Sequence, residues 1–456
     1  MAGIGFELRK LLKKDSLLGL LQAYTYAGVI GSGPWVLSIL GILLIGLLSS
    51  TVVVPSFLVT QFQTSVTYLI ASSLIVTGAV QLTFTRFVSD RLFEGRRDWV
   101  MPNLHGLLMI VMVVSGAIGT LCLFIVLPGE GLIYRLLMLA GFVVMCAIWV
   151  VTIFLSGMKR YKAIVATFAV GYAVTVGVAL VLRPFGLDGL MAGFVLGHCV
   201  LLAGLWLLTA LQFRPDTLIG FDFLDSKLWY PSLMAIGLLY NLGIWADKFL
   251  FWFYPGTSEP VIGHLRASII YDLPVFLAYL SIIPGMAVFM VRIETDFVEY
   301  YDRFYDAVRE GGSLELIEEM RDEMVFSIQQ GLAEIGKTQV LAALITFVAG
   351  PMVLSSLGIS QLYLPLLHVQ VIGAGLQVML LAVLNVFFYL DQRRTVLILC
   401  AEFLILNVVL TGLTLWYGAA LYGYGFAGAV LITLITGLVF LDRKLSRLEY
   451  DTFMLQ

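Results

Sequence analysis

The sequence predicts an all-α polytopic membrane protein: about twelve transmembrane helices in two six-helix lobes, with a cytosolic amphipathic helical hairpin. Three observations carry this. Of 456 residues, 60% are hydrophobic and only 12% charged, where a soluble chain carries roughly a quarter charged residues. The apolar residues fall into runs of the length that crosses about 30 Å of hydrocarbon. Finally, 23 of the 27 basic residues sit in seven short stretches occupying every second gap between those runs, from Arg9, Lys10, Lys13 and Lys14 at the start to Arg443, Lys444 and Arg447 at the end. Basic flanks stay on the cytoplasmic face, so strict alternation implies an even number of spans and both termini in the cytoplasm.

In order, the spans cover Leu21–Leu48, Thr64–Phe87, Leu104–Leu127, Leu132–Ser156, Ala163–Leu182, Gly189–Leu211, Trp229–Phe253, Ala267–Val291, Leu332–Leu354, Tyr363–Leu390, Thr395–Trp416 and Gly423–Leu441. The opening FELRKLLKK is followed by an apolar stretch too long for a signal peptide and without a small-residue cleavage site, and reads as an interfacial amphipathic helix over residues 1–20. The division is then a first lobe over 21–213, a cytosolic inter-lobe link over 214–228, the seventh and eighth spans over 229–291, an acidic hairpin over 292–331, the last four spans over 332–441 and a cytosolic tail over 442–456. Six spans on either side of the link suggest lobes related by an axis along the membrane normal. The outer gaps, near Pro55, Gly129, Arg183, Gly256, Ser360 and Tyr417, are short, so no extracytoplasmic domain is expected.

The link after the eighth span is the one substantial soluble element. Between Glu294 and Glu323 it holds eleven acidic and three basic residues, a net of -8. Phe297, Tyr301, Phe304 and Val308 recur at helical spacing. Gly311 and Gly312 then break the helix, Ser313 is placed to cap the next one, and Leu314, Ile317, Met324 and Ile328 form a second stripe. Two readings fit: a hairpin lying under the bundle, or a docking surface for a cytosolic partner formed by Phe297, Tyr301, Phe304, Glu318 and Glu319.

Several classes are excluded or weakened. A net charge of -3 and no basic patch away from the membrane flanks argue against a nucleic-acid partner. Cys122, Cys146, Cys199 and Cys400 lie in apolar runs without metal-ligand spacing and read as small core residues; no metal and no cofactor is expected. Gly331-Leu-Ala-Glu-Ile-Gly336-Lys337-Thr338 matches the phosphate-loop pattern literally, but no strand precedes it and a membrane span follows. Lys337 reads better as a snorkelling anchor.

Ionisable and amide groups inside spans are costly and are therefore functional candidates. In the seventh span Asn241, Trp245, Lys248 and Trp252 share a helical face, with Asp247 placed to neutralise part of the Lys248 charge. Indole faces stack on sugar rings; equally, Lys248 and Trp252 fit an interfacial belt. The eighth span offers Arg266, Ser268, Asp272 and Tyr279, with Pro274 and Pro284 as breaks that free carbonyls for a polar path. Asp272 is either a charge in that path or the partner of Arg266. The tenth span aligns Gln370, Ala374, Gln377 and Asn385, and the first aligns Tyr24, Gly28, Gly31, Trp35 and Ser38; helix packing and cavity lining both fit. His198 and Glu402 stand alone. Only Arg135, Arg183, Lys248 and Arg266 depart from the cytoplasmic basic pattern.

A membrane-embedded glycosyltransferase needs catalytic acids in an outer loop or a soluble domain, and the sequence provides neither, so no enzyme activity is expected. A transporter with a mostly neutral polar cavity between two lobes fits best. The alternatives are a flippase for lipid-linked oligosaccharide, whose pyrophosphate needs cations such as Lys248 and Arg266, and a membrane scaffold for a glycosyltransferase complex.

Two segments, MAGIGFELRKLLKKDSLLGLLQAYTYAGVIGSGPWVLSILG and YDLPVFLAYLSIIPGMAVFMVRIETDFVEYYDRFYDAVREGG, give the whole chain a resemblance to the PelG family of bacterial inner-membrane transporters of the Pel exopolysaccharide system, a biofilm polymer. The resemblance implies membership of the multidrug/oligosaccharidyl-lipid/polysaccharide exporter superfamily and a polysaccharide substrate rich in N-acetylgalactosamine. It also implies the partners PelF, a cytosolic glycosyltransferase, PelD, a cyclic-di-GMP receptor, and PelE, beside membrane lipid. It supplies no residue-level motif, so the candidate residues above rest on the chain itself.

Overall fold

The structure is a computed structural model that describes residues 57–153, 161–213, 217–225, 230–357 and 359–454, with scattered residues between 24 and 48. The predicted interfacial helix over 1–20 and nearly all of the first span lie outside the described residues. Among the described residues, nine helices are long and apolar enough to cross a membrane, and a bent pair supplies a tenth span. One of the nine, Ala163–Gln212, is itself two helices, Tyr161–Leu182 and Gly186–Gln212, joined by a single turn at Arg183–Phe185. Each span predicted after the first therefore has its helix.

In chain order these are α1 (Phe57–Phe93), α2 (Val100–Val126), α3 (Leu132–Thr152), α4 (Tyr161–Leu182), α5 (Gly186–Gln212), α6 (Pro231–Phe253), the bent pair α7 (Ile269–Leu280) and α8 (Ile283–Val291), α9 (Val298–Arg309), α10 (Leu314–Ser356), α11 (Leu364–Tyr389), α12 (Arg393–Tyr417), α13 (Tyr424–Leu445) and the tail helix α14 (Leu448–Met454). They form two compact units. The first takes 34–245 and 251–269, and the second takes 2–33, 246–250 and 270–456. Most of α6 thus belongs to the first unit, and the stretch carrying Asp247 and Lys248 to the second.

The first unit is packed by large apolar side chains with no exposure, among them Phe62, Val66, Leu104, Cys146 and Leu205. One close contact between its helices needs glycine. A Cβ on Gly197 would lie 2.4 Å from the Thr175 Cα, and one on Gly193 would lie 2.3 Å from the Ala179 Cα. The small-xxx-small spacing on α5 lets its backbone rest on α4. Part of the inter-lobe link docks on this unit. Phe223 packs edge-on to Phe84 at 5.6 Å, and Asn103 Nδ2 donates to Asp222 Oδ2 at 2.9 Å.

The link after α6 holds a feature absent from the sequence expectations: a β-hairpin of β1 (Glu259–Ile262) and β2 (Leu265–Ala267), antiparallel with Pro260 opposite Arg266. Gly263 turns it with φ +54, as a two-residue hairpin loop requires. The His264 N–H donates to Val126 O at 2.8 Å, which seats the turn on the end of α2.

In the second unit, the expectation of two proline breaks resolves into one. Pro274 lies inside α7, whereas Pro284 occupies the first turn of α8, where a missing N–H costs nothing. α7 meets α8 and its continuation at a 41° bend. At the bend the Ile282 carbonyl accepts from the Met286 N–H at 2.9 Å and also from Gln339 Nε2 at 3.3 Å. Past α8 the chain makes a π-helical turn, Arg292–Phe297, before α9. Gly311, with φ +70, ends α9, and the Ser313 hydroxyl accepts from the Leu316 N–H at 3.3 Å as the N-cap of α10. The second arm of the predicted hairpin is not a separate helix. α10 runs without interruption for 43 residues, because nothing between Ser313 and the apolar run breaks it.

Candidate functional site

In the second unit the Asp247 carboxylate has no exposed surface. A carboxylate at that depth survives only if its oxygens are paired and hydrogen-bonded, and the chain supplies donors from four helices. From α6, the Lys248 ammonium lies 3.1 Å from Asp247 Oδ2. From α7, the Tyr271 hydroxyl donates to Oδ2 at 2.6 Å, and Gln370 of α11 donates to that hydroxyl at 2.7 Å. From α12, Asn407 Nδ2 donates to Oδ1 at 3.2 Å, while Thr411 donates to Asn407 Oδ1 at 2.9 Å. The result is a chain of amides and hydroxyls converging on one ion pair.

Lys248 is held by more than its carboxylate. Its ammonium lies 4.7 Å from the Phe426 ring centroid and 5.3 Å from that of Tyr279, both within cation–π range. The hydroxyl of the half-buried Tyr279 donates to Oε1 of the buried Gln377 at 2.8 Å. The network as a whole carries no net charge.

Lys248, Tyr279, Gln370 and Gln377 come together in the second unit. The seventh-span stripe does not act as one surface. The long stem of Lys248 takes its ammonium to Asp247, while the rigid Trp252 indole belongs to the first unit, 1% exposed and stacked on Tyr68 at 4.5 Å. Its face is thus occupied. Trp245 lies 6.2 Å from Trp252, and Asn241 donates to Gly237 O at 2.8 Å within its own helix. Arg266 is spent on the β-hairpin: its Nε donates to Ser258 Oγ at 2.9 Å, and its NH2 group donates to Ser258 O at 3.0 Å. Asp272 sits half-buried in the first turn of α7. The other two outlying bases also find internal acceptors, Arg135 at Glu130 O (2.8 Å) and Arg183 at Leu48 O (3.1 Å).

Tyr271, Asn407 and Thr411 escaped the sequence reading, although each is a polar residue within an apolar run. The phosphate-loop match is helix throughout, inside α10, so its amides are consumed by helical bonds and make no anion nest. In the acidic link, Glu318 and Glu319 are exposed. Phe297 and Phe304 are not: both have no exposed surface, and of that stripe only Tyr301 and Val308, both half-buried, reach the outside. Among the described residues no cluster of three or more His, Cys, Asp or Glu side chains could hold a metal ion.

This architecture is that of the MATE transporters. A MATE transporter in its bent conformation matches with a TM-score of 0.65 and 15% identity over 99% of each chain. The Vibrio cholerae MATE transporter VcmN matches at 0.63, with 16% identity over 99% of this chain and 100% of that one. A transporter of the MOP superfamily from Pyrococcus furiosus matches at 0.63, with 15% identity over 93% and 96%. At such identities the likeness establishes the fold alone. The chain belongs to the PelG exopolysaccharide exporter (EPS-E) family, whose profile matches residues 1–453. No curated protein matches it. Family and fold are those of a membrane exporter.

Proposed function

We propose that the chain exports a neutral exopolysaccharide of the N-acetylgalactosamine-rich Pel type from cytoplasm to periplasm across the bacterial inner membrane, with both termini cytoplasmic, and that the Asp247 network lies on the polymer's path. The observation that carries this reading is the self-neutralised character of the network. The Lys248 ammonium is matched by Asp247, leaving amides, hydroxyls and ring faces that exchange hydrogen bonds with sugar hydroxyls. A lipid-linked pyrophosphate calls instead for uncompensated cations, and both Lys248 and Arg266 are engaged inside the chain. The test is polymer secretion from cells carrying Gln377→Leu or Tyr279→Phe. Each removes one member of the Tyr279–Gln377 bond, and secretion is expected to fall about tenfold with protein levels unchanged. Wild-type secretion from both variants would remove the network from the path.

The cytosolic partners fit the acidic link. Glu318 and Glu319 are exposed on α10, a position where acidic side chains repel an anionic leaflet and attract a basic protein surface. PelF, held with PelD and PelE, is the partner we assign to this face. Glu318→Lys combined with Glu319→Lys is expected to reduce co-purification of PelF severalfold at low salt, with a smaller effect at high salt, and to leave the unfolding temperature unchanged. Full recovery of PelF with the reversed charges would rule this face out. Deleting the whole link is a poorer probe, because Phe297 and Phe304 are buried and their loss would open the unit itself.

A further inference from the structure

A second polar cluster sits where α8 passes into the π-helical turn, and the Asp247 network does not use it. The π turn reaches back five residues, as the Thr295 hydroxyl does in donating to Met290 O at 3.1 Å, and such turns re-aim side chains and recur at functional sites. Here the turn sends Arg292 toward α10, where its Nε and NH2 group donate to Glu334 at 2.6 and 2.9 Å. It sends Glu294 toward α11. Asn385 Nδ2 donates to Glu294 Oε1 at 2.6 Å, and the Tyr389 hydroxyl donates to Oε2 at 3.1 Å. Aromatic rings surround the carboxylate's partners: Phe297 edge-on to Tyr389 at 5.5 Å, Tyr301 at 5.7 Å from Tyr389, and Tyr305 at 4.6 Å from Tyr301.

Two features set this cluster apart from a structural lock. Asp247 is paired with a neighbouring lysine, whereas the two hydrogen bonds that the described residues give Glu294 come from neutral donors, and the adjacent Arg292 is taken by Glu334 and Asp296. Those two are about half of the hydrogen bonds a carboxylate accepts. Nor is the cluster sealed, since Glu294, Asn385, Tyr389, Tyr301 and Tyr305 are all half-buried over a fully buried Phe297 floor. A two-oxygen acceptor, an amide and an adjoining aromatic face are together complementary to a polyol ring: vicinal hydroxyls donate to the carboxylate, and the apolar side of the ring lies on the aromatic one.

We propose that Glu294, Asn385, Tyr389 and Tyr301 form a pyranose-binding subsite that holds one neutral sugar unit of the polymer, separate from the Asp247 network. The subsite rests on the polysaccharide reading above and adds to it the residues that grip a ring. The test is isothermal titration of the full-length protein in nanodiscs with a tetrasaccharide of N-acetylgalactosamine. Glu294→Gln and Tyr301→Ala are each expected to weaken binding about tenfold or more, and Tyr301→Trp to retain it. Tyr301 is half-exposed, so Tyr301→Ala decides the matter even if Glu294→Gln lowers the unfolding temperature. If the wild-type protein binds the tetrasaccharide and Tyr301→Ala binds it equally well, the subsite is wrong while the polysaccharide reading stands. If the wild-type protein does not bind it, that reading fails and the subsite falls with it.

Discussion

Replacing Lys248 with methionine is expected to lower the unfolding free energy by about 3–5 kcal/mol and to abolish secretion. Asp247 has no exposed surface, and removing its cation leaves a buried charge whose remaining donors, Tyr271 and Asn407, are neutral. Removing one partner of a buried pair costs far more than removing both. The double variant Asp247→Asn with Lys248→Met is therefore expected to regain most of the lost stability, because the asparagine carbonyl still accepts from Tyr271 and no charge remains. Secretion is expected to stay low in the double variant if the pair itself meets the polymer. Unfolding in mixed micelles, read for both single variants and the double, gives the coupling energy directly. Equal stability of wild type and Lys248→Met would mean that the ion pair does not hold the network together.

The length of the apolar runs was enough to place the spans that fall among the described residues, because crossing about 30 Å of hydrocarbon takes about 20 such residues in a helix. The site was less legible for a reason of distance along the chain. Helical spacing relates residues on one helix, and so it found Lys248 and the Gln370–Gln377 stripe separately. Their junction depends on contacts between helices: Asn407 is 160 residues from Asp247, and Gln370 is 99 from Tyr271. Tyr271 sits one position before Asp272, the residue that charge alone singles out, yet Tyr271 is the one that reaches Asp247. The stripe of Phe297, Tyr301 and Phe304 shows a different limit. Amphipathic spacing reports that a helix has an apolar face without saying whether that face is covered by the same chain, and here Phe297 and Phe304 are covered. The β-hairpin had a faint signal in Val261, Ile262 and Gly263, too short to outweigh the apolar runs on either side.

Arg292 provides the second large effect. Its guanidinium bridges Glu334 and Asp296, with Nε at 2.6 Å from Glu334 Oε2 and NH1 at 2.6 Å from Asp296 Oδ2, and all three side chains are only 27–28% exposed. It ties the π turn to α10 and so fixes the direction in which Glu294 points. Arg292→Met leaves two carboxylates facing each other without their cation, and the expected loss is about 2 kcal/mol, below the fully buried case because water still reaches the site. Arg292→Lys is expected to recover less than half, since an ammonium cannot reproduce the two-pronged contact with Glu334 while also reaching Asp296. Arg303, whose pair with Glu299 is 51% and 38% exposed, serves as the control: Arg303→Met is expected to change stability by no more than about 0.5 kcal/mol. The same unfolding assay checks all three, and secretion should fall with Arg292→Met and not with Arg303→Met. An Arg292→Met protein as stable as the Arg303→Met control would show that packing of α9 and α10 alone holds the π turn, and the orientation of Glu294 would then need another cause.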